Sequence, residues 1–256
     1  MNNHTKTGKH VVIYLMSLML LAAGCGKKEP VQDTQAAAAP PAEATPTAEA
    51  APGGGVSQQA IDDLCYQVRY SDDPDKVAKL LEGGISPNVR GSKGFTALVT
   101  ALQYGAGGTD EMQERMVDVL LSHGADVNAD NGAALLEIAG SGKAGLAGKL
   151  LDKGAGANVA DSLGRTPLML AAGSQSQEMT SLLLDKGADP NMKDNAGHNA
   201  WYIAFGNAYS FRTEKAIKVE ELLRGRTNRS DMEALLRADT SLHGYFDVDK
   251  WLQEHP

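Results

Sequence analysis

Two cysteines in 256 residues cannot supply a disulfide framework. Aromatic side chains are equally sparse, with 2 Trp, 7 Tyr and 4 Phe, so any core must be built mainly from aliphatic residues and alanine. No apolar run reaches the roughly 20 residues of a membrane-spanning helix. The longest apolar-rich stretch, "VVIYLMSLMLLAA", covers only residues 11–23. Basic residues form no stripe: 24 Lys and Arg stand against 32 Asp and Glu, a net charge of −8, which argues against a nucleic-acid partner. The six histidines (4, 10, 123, 198, 243 and 255) have no metal-ligand spacing, and no G-x-S-x-G phrase occurs. The nearest approach to a phosphate loop is "GKAGLAGKL", 142–150. It sets Gly142 and Gly148 six apart and follows Lys149 with Leu150, where the motif requires a spacing of five and then Ser or Thr. We therefore expect no enzyme, no catalytic residue, no metal, no cofactor and no small-molecule substrate.

What is present begins at the N-terminus. Residues 1–24 open polar, with Lys6 and Lys9, turn apolar and end on small residues, the pattern of an export signal. The phrase "LLAAGC" resembles the lipobox of bacterial lipoproteins, although Ala22 stands where that family usually has Leu, which here is one place earlier at Leu21. The resemblance implies cleavage before Cys25, a lipid on its sulfur and an acyl chain on its amine. More than one acyl chain holds a protein firmly to a bilayer. Gly26 occupies the place where an aspartate would mark inner-membrane retention. The expected location is thus the periplasmic side of the bacterial outer membrane, with the outer face of the inner membrane as the alternative. Residues 25–55 supply the lipidated Cys and then "GKKEPVQDTQAAAAPPAEATPTAEAAPGGG", an Ala/Pro-rich tether spanning on the order of 30 Å as a coil. Cys65 is then the sole remaining thiol. It lies on the stripe Ile61, Leu64, Cys65, Val68, which predicts an amphipathic helix with Cys65 as a small buried hydrophobe.

From residue 56 onward the chain repeats itself. "LLDKGAGAN" at 150–158 returns as "LLDKGADPN" at 183–191. Gly94, Gly132, Gly164 and Gly197 open similar phrases ("GFTAL", "GAALL", "GRTPL", "GHNAW") at spacings of 38, 32 and 33. Each is followed seven residues later by alanine (101, 139, 171, 204) and preceded by a G-x-x-x-N phrase ending at Asn88, Asn128, Asn158 or Asn191. Recurrence at this period indicates a solenoid. The phrases resemble the ankyrin repeat, most clearly at 161–193. That resemblance implies an all-α repeat solenoid, a stack of helix-turn-helix units with projecting β-turn or hairpin fingers. Thr166 suits the cap of a first helix, Pro167 its first turn and Gly187 the end of a second helix. The expected organisation is an N-terminal capping repeat at 56–90, repeats over 91–224 and a helical C-terminal cap at 225–256. Within that cap, "SDME" 230–233 reads as a capping box, and Trp251 and Leu252 as the cover of the last repeat.

The family binds other proteins through finger tips and the concave face of its first helices. Carried over by position, this picks out Lys93, Phe95, Arg165 and His198 on the fingers and Tyr104 toward the end of a first helix. Aromatics and arginine are favoured because they dominate interface energy. Two insertions, 103–114 and 206–216, interrupt the repeat and are read as loops on a binding face. Tyr209 and Phe211 in the second are candidates for partner contact, or else for folding back onto the stack. Trp201 and Phe205 are read as core. The finger between Asn128 and Gly132 is two residues shorter than the others and should project less. The functional expectation is a protein-binding scaffold tethered by Cys25 to the bilayer in the cell envelope. The alternative is an immunity-type inhibitor of a toxin or enzyme that enters the periplasm, its acidic fingers meeting a basic site.

Overall fold

The computed structural model describes residues 56–71, 73–104, 109–239 and 246–255. The signal segment, Cys25 and the tether lie outside the described residues. Among the described residues twelve helices follow one another: α1 Gln58–Tyr70, α2 Pro74–Glu82, α3 Ala97–Tyr104, α4 Asp110–Ser122, α5 Ala129–Ser141, α6 Ala144–Asp152, α7 Pro167–Gly173, α8 Gln177–Asp185, α9 Ala200–Phe211, α10 Glu214–Arg224, α11 Arg229–Ala238 and α12 Val248–Glu254. Each odd-numbered helix through α9 pairs with the even one after it. The first helices α1, α3, α5, α7 and α9 lie side by side in one layer, and the second helices pack behind them. The result is an all-α solenoid of five two-helix units with one continuous core.

Local chemistry explains where helices start. Ser57, Thr109, Thr166, Ser176, Asn199 and Thr213 each cap a helix by accepting a backbone N–H with the side-chain oxygen. Asp73 does so for α2, and Pro74 and Pro167 occupy first-turn positions where a missing N–H costs nothing. At the far end of α2, α4, α6 and α8 the chain turns through left-handed glycine, whereas Gly225 after α10 stays right-handed. Gly187 has φ +85°, a conformation that a side chain would strain. The alanines seven residues after each phrase-opening glycine are almost completely buried, which lets neighbouring helices approach closely.

The recurring asparagine has a definite task. Asn88, Asn128 and Asn158 donate from Nδ2 to the carbonyls of Gly124, Gly154 and Gly187, one repeat onward, at 3.0–3.1 Å. Their Oδ1 atoms accept from Asp126, Gly156 and Asp189 N–H at 2.7–3.0 Å. Asn191 continues the ladder by accepting from the Asn228 N–H at 2.8 Å. A polar side chain thus satisfies the backbone ends of the next repeat while fixing its register. The near-copy differs in detail. Asp189 accepts the N–H of Asn191 at 2.9 Å, and Gly156 has no side chain with which to do the same for Asn158. A Cβ at Gly156 would lie 3.0 Å from Val159 Cγ1, a tight contact that the valine side chain would have to relieve.

Of the two finger forms expected, the turn is the one observed: among the described residues no strand forms, and a single antiparallel bridge joins Arg90 and Thr96. Other expectations change. The predicted capping box at 230–233 does not form. Helix α11 begins at Arg229 behind Asn228, whose N–H is taken by Asn191, and no side chain caps it. The insertions are not simple loops either. Thr109 starts α4 inside the first insertion, and the second lengthens α9 to Phe211, where Arg212 turns left-handed. Both insertions carry a buried amide that closes a neighbouring helix end. Gln113 donates to Ala101 and Leu102 carbonyls at 2.9 Å, and Asn207 to the Ala172 carbonyl at 3.2 Å. Cys65 is half-buried rather than fully buried, and burial pushes its thiol pKa up.

Helices α11 and α12 follow the last unit, and an aromatic cluster of Trp201, Phe205, Tyr209, Phe246 and Trp251 forms there. Trp251 lies 5.7 Å from the buried Trp201 ring and 5.8 Å from Phe205, and Leu252 is buried beside it. Phe246 meets Phe205 edge-on at 5.3 Å. Arg229 donates to the carbonyls of Leu252 and His255 at 2.7 Å, tying the end of α12 to the start of α11.

Candidate functional site

The surface that could meet a partner is built from the turns preceding the first helices. In the first finger Gly91 N–H bonds the Phe95 carbonyl at 3.1 Å and Gly94 N–H the Gly91 carbonyl at 2.8 Å. This leaves Ser92, Lys93 and Phe95 exposed, Phe95 at 40 % of its surface. The third finger is closed by Asp161, whose carboxylate accepts from Leu163 and Arg165 N–H and from the Arg165 guanidinium at 2.8–2.9 Å. Burial alone would raise the Asp161 pKa, but these donors outweigh it and hold the carboxyl below its usual range. Leu163 stands at the tip, 51 % exposed. In the fourth finger Asp194 accepts from Ala196 and His198 N–H at 2.8–2.9 Å.

The third and fourth fingers are joined. Asn195 N–H donates to the Leu163 carbonyl at 3.0 Å and its Nδ2 to the Ser162 carbonyl at 3.1 Å. The second finger is missing as a projection. Asp130, Asn131 and Gly132 all take left-handed φ (56°, 56°, 75°) and kink the first turn of α5, whose regular helix follows Gly132. A Cβ on Gly132 would strike Val159 at 2.8 Å, so only glycine lets that turn lie flat. Arg90 bridges the first finger to this stub, reaching Asp130 at 2.5 Å while donating to the Gly94 carbonyl at 2.9 Å.

The sequence candidates therefore divide. Lys93 and Phe95 stand together at one tip. Arg165 is committed internally to Asp161, 2.7 Å from its carboxylate. His198 stacks on Tyr202 with ring centroids 4.7 Å apart, and the Tyr202 hydroxyl bonds Asp239 at the end of α11. That bond and burial push the tyrosine pKa far up, with burial the larger cause. Tyr209 folds back, stacked on Phe205 at 6.1 Å and edge-on to Phe246 at 5.6 Å. Phe211 is exposed at the end of α9. The side chain of Tyr104 lies outside the described residues. Leu163 is a finger residue by position, its place in "DSLGR" matching the tip position of Lys93, but a ranking that favours aromatics and arginine passes over it. Along the first helices Gln103 donates to Glu137 at 3.3 Å across adjacent repeats. Among the described residues no His, Cys, Asp and Glu cluster is arranged to hold a metal ion. No described helix is long and apolar enough to cross a membrane.

Comparison with protein families gives two matches. A family model described as ankyrin repeats, in three copies, matches residues 135–213, and one for the single ankyrin repeat matches residues 93–132. No curated protein matches the chain.

Proposed function

Because the chain carries ankyrin repeats, which mediate binding to other proteins, we propose that it is a protein-binding scaffold held in the bacterial cell envelope by lipid on Cys25. The observation that carries the scaffold reading is the finger edge. Phe95 and Leu163 remain exposed at turn tips that internal hydrogen bonds hold in place. Apolar side chains pre-set on rigid turns lose little entropy on binding. The envelope location rests on the N-terminal sequence: a basic start, a short apolar run and "LLAAGC" ahead of an Ala/Pro-rich tether. Residues 56–90 and 225–256 serve as caps, and the tether gives the stack reach from the membrane.

Two experiments test this reading. Metabolic labelling with palmitate should mark the wild type and not Cys25→Ala; normal labelling of the variant would remove the anchor. A photo-cross-linker at position 95 should trap a defined envelope protein, and one at Glu178, exposed on the second-helix layer, should not. Equal trapping at both sites, or none at 95, would contradict a finger-edge scaffold. The immunity alternative gains no support from charge. The fingers carry Arg90, Lys93 and Arg165 beside Asp130, Asp161 and Asp194, so they present no acidic face.

A further inference from the structure

The finger row is broken where its second member should stand, and the break has chemically distinct edges. On one side are Phe95 and Lys93. On the other is Leu163, on a finger stiffened from behind by Asn195. Between them the chain lies flat through Asp130, Asn131 and Gly132, with Val159 closed against Gly132. Partly exposed Ala133 and Leu136 follow on α5. We propose that this notch receives one acidic, amphipathic helix from a protein partner, an inference that rests on the scaffold reading.

Size and charge select that occupant. Packed helices repeat at about 8–10 Å, so one absent finger opens a gap about as wide. An α-helix with its side chains measures about 10–12 Å and can touch both rims. A single strand, which occupies about 4.8 Å between neighbours, would reach only one. The rims offer Phe95 and Leu163 to apolar residues at the two margins of one broad apolar helix face. Charge is the second constraint. The chain as a whole carries −8, yet the first finger, "RGSKGFT", holds two cations and no acid of its own, Asp62 touching it through the Ser92 N–H at 3.3 Å. Arg90 is spent on Asp130, and Lys93 has no ion pair within the described residues. An acidic residue on the partner would complete it. The gap is kept open by design: three consecutive left-handed residues, two of them not glycine, are held by the Arg90–Asp130 pair.

The test uses the full-length protein and a yeast-displayed library of 18-residue amphipathic helices. Leu is fixed at one face, and Glu, Lys or Ala is randomised elsewhere. Selected peptides should be net acidic. Replacing residues 129–132 by the sequence of residues 192–197, Met-Lys-Asp-Asn-Ala-Gly, restores a full-length finger and should weaken the selected peptides about tenfold or more. Lys93→Glu and Phe95→Ser should weaken them similarly, and Lys186→Glu, on the second-helix layer, should not. Net basic peptides, no binder at all, or binding indifferent to the restored finger would overturn the notch. Peptides that lose to Phe95→Ser but survive the restored finger would sink the notch and keep the scaffold reading. Binding that changes with none of these variants would sink both. Should the restored finger fail to fold, seen as a lost cooperative melt, the Lys93→Glu and Phe95→Ser pair decides.

Discussion

Glu220, with 6 % of its surface exposed, accepts the Trp201 indole N–H at 2.8 Å on the inner side of α10. Burial raises its pKa against the opposing pull of that bond and of Arg224. The folded state therefore holds the proton more tightly than the unfolded chain does. Its stabilising contribution is full below the ordinary glutamate value of about 4.3 and is lost as pH rises through the folded value. Glu220→Gln keeps an acceptor for Trp201 and removes the charge. It should melt above the wild type at pH 7 and lose that advantage in acid, as thermal melts across pH will show. Asp161 has the opposite sign. Its lowered pKa gives stability that is present above the ordinary aspartate value of about 3.9 and lost as pH falls through the folded value. Asp161→Asn should melt below the wild type at pH 7, with the gap closing in strong acid. A gap that stays constant with pH would contradict either assignment.

At the scale of elements, helices are joined by side-chain amides as much as by apolar packing. Asn158 makes two hydrogen bonds to the following repeat. Asn158→Ala should cost about 1–2 kcal/mol in urea unfolding, since each neutral bond contributes about 1 kcal/mol. Helix α12 is held largely by Trp251 in the aromatic cluster. Trp251→Ala should cost about 3 kcal/mol, the low end for aromatic truncation because the ring is only partly buried. The sequence was readable here where spacing repeats. Thr166, Pro167 and Gly187 sit where their backbone chemistry demands. It was not readable at Asn228, whose backbone N–H is held by Asn191 from 37 residues away and which starts the helix two residues before Ser230. Nor was it readable at Tyr209, whose partner Phe246 also lies 37 residues along the chain.

For the whole molecule, a solenoid's stability is a sum of unit and neighbour terms, so damage at one end should stay local. Truncation after residue 245 removes Phe246, Trp251 and Leu252 from the face of Trp201 and Phe205. Hydrogen exchange should then quicken in α9 and α10 while α5 to α8 keep their protection. Uniform loss across the stack would show that the cap stabilises every unit. Ion pairs such as Lys149–Asp118 and Lys186–Asp152 link successive second helices, but on exposed surface they contribute little each.

The architecture was determined by the sequence alone because each repeat solves the same local problem with the same residues: a cap, a small-residue contact, a glycine exit and an asparagine. Periodicity turns those local solutions into a stack, since no single unit can bury its own apolar face. What only the tertiary structure decided is where the pattern's exceptions go. Gln113, Asn207 and Tyr209 stood out in the sequence as departures from the repeat. In the fold they are spent on neighbouring helix ends and on the cap. Lys93 and Phe95 could be picked out from the chain by position, but not their pairing with Leu163 across a flattened finger. They become a surface because the finger between them lies flat, and that depends on Val159 closing over Gly132 from the next repeat. Such contacts join residues of different repeats, so no single repeat's text contains them.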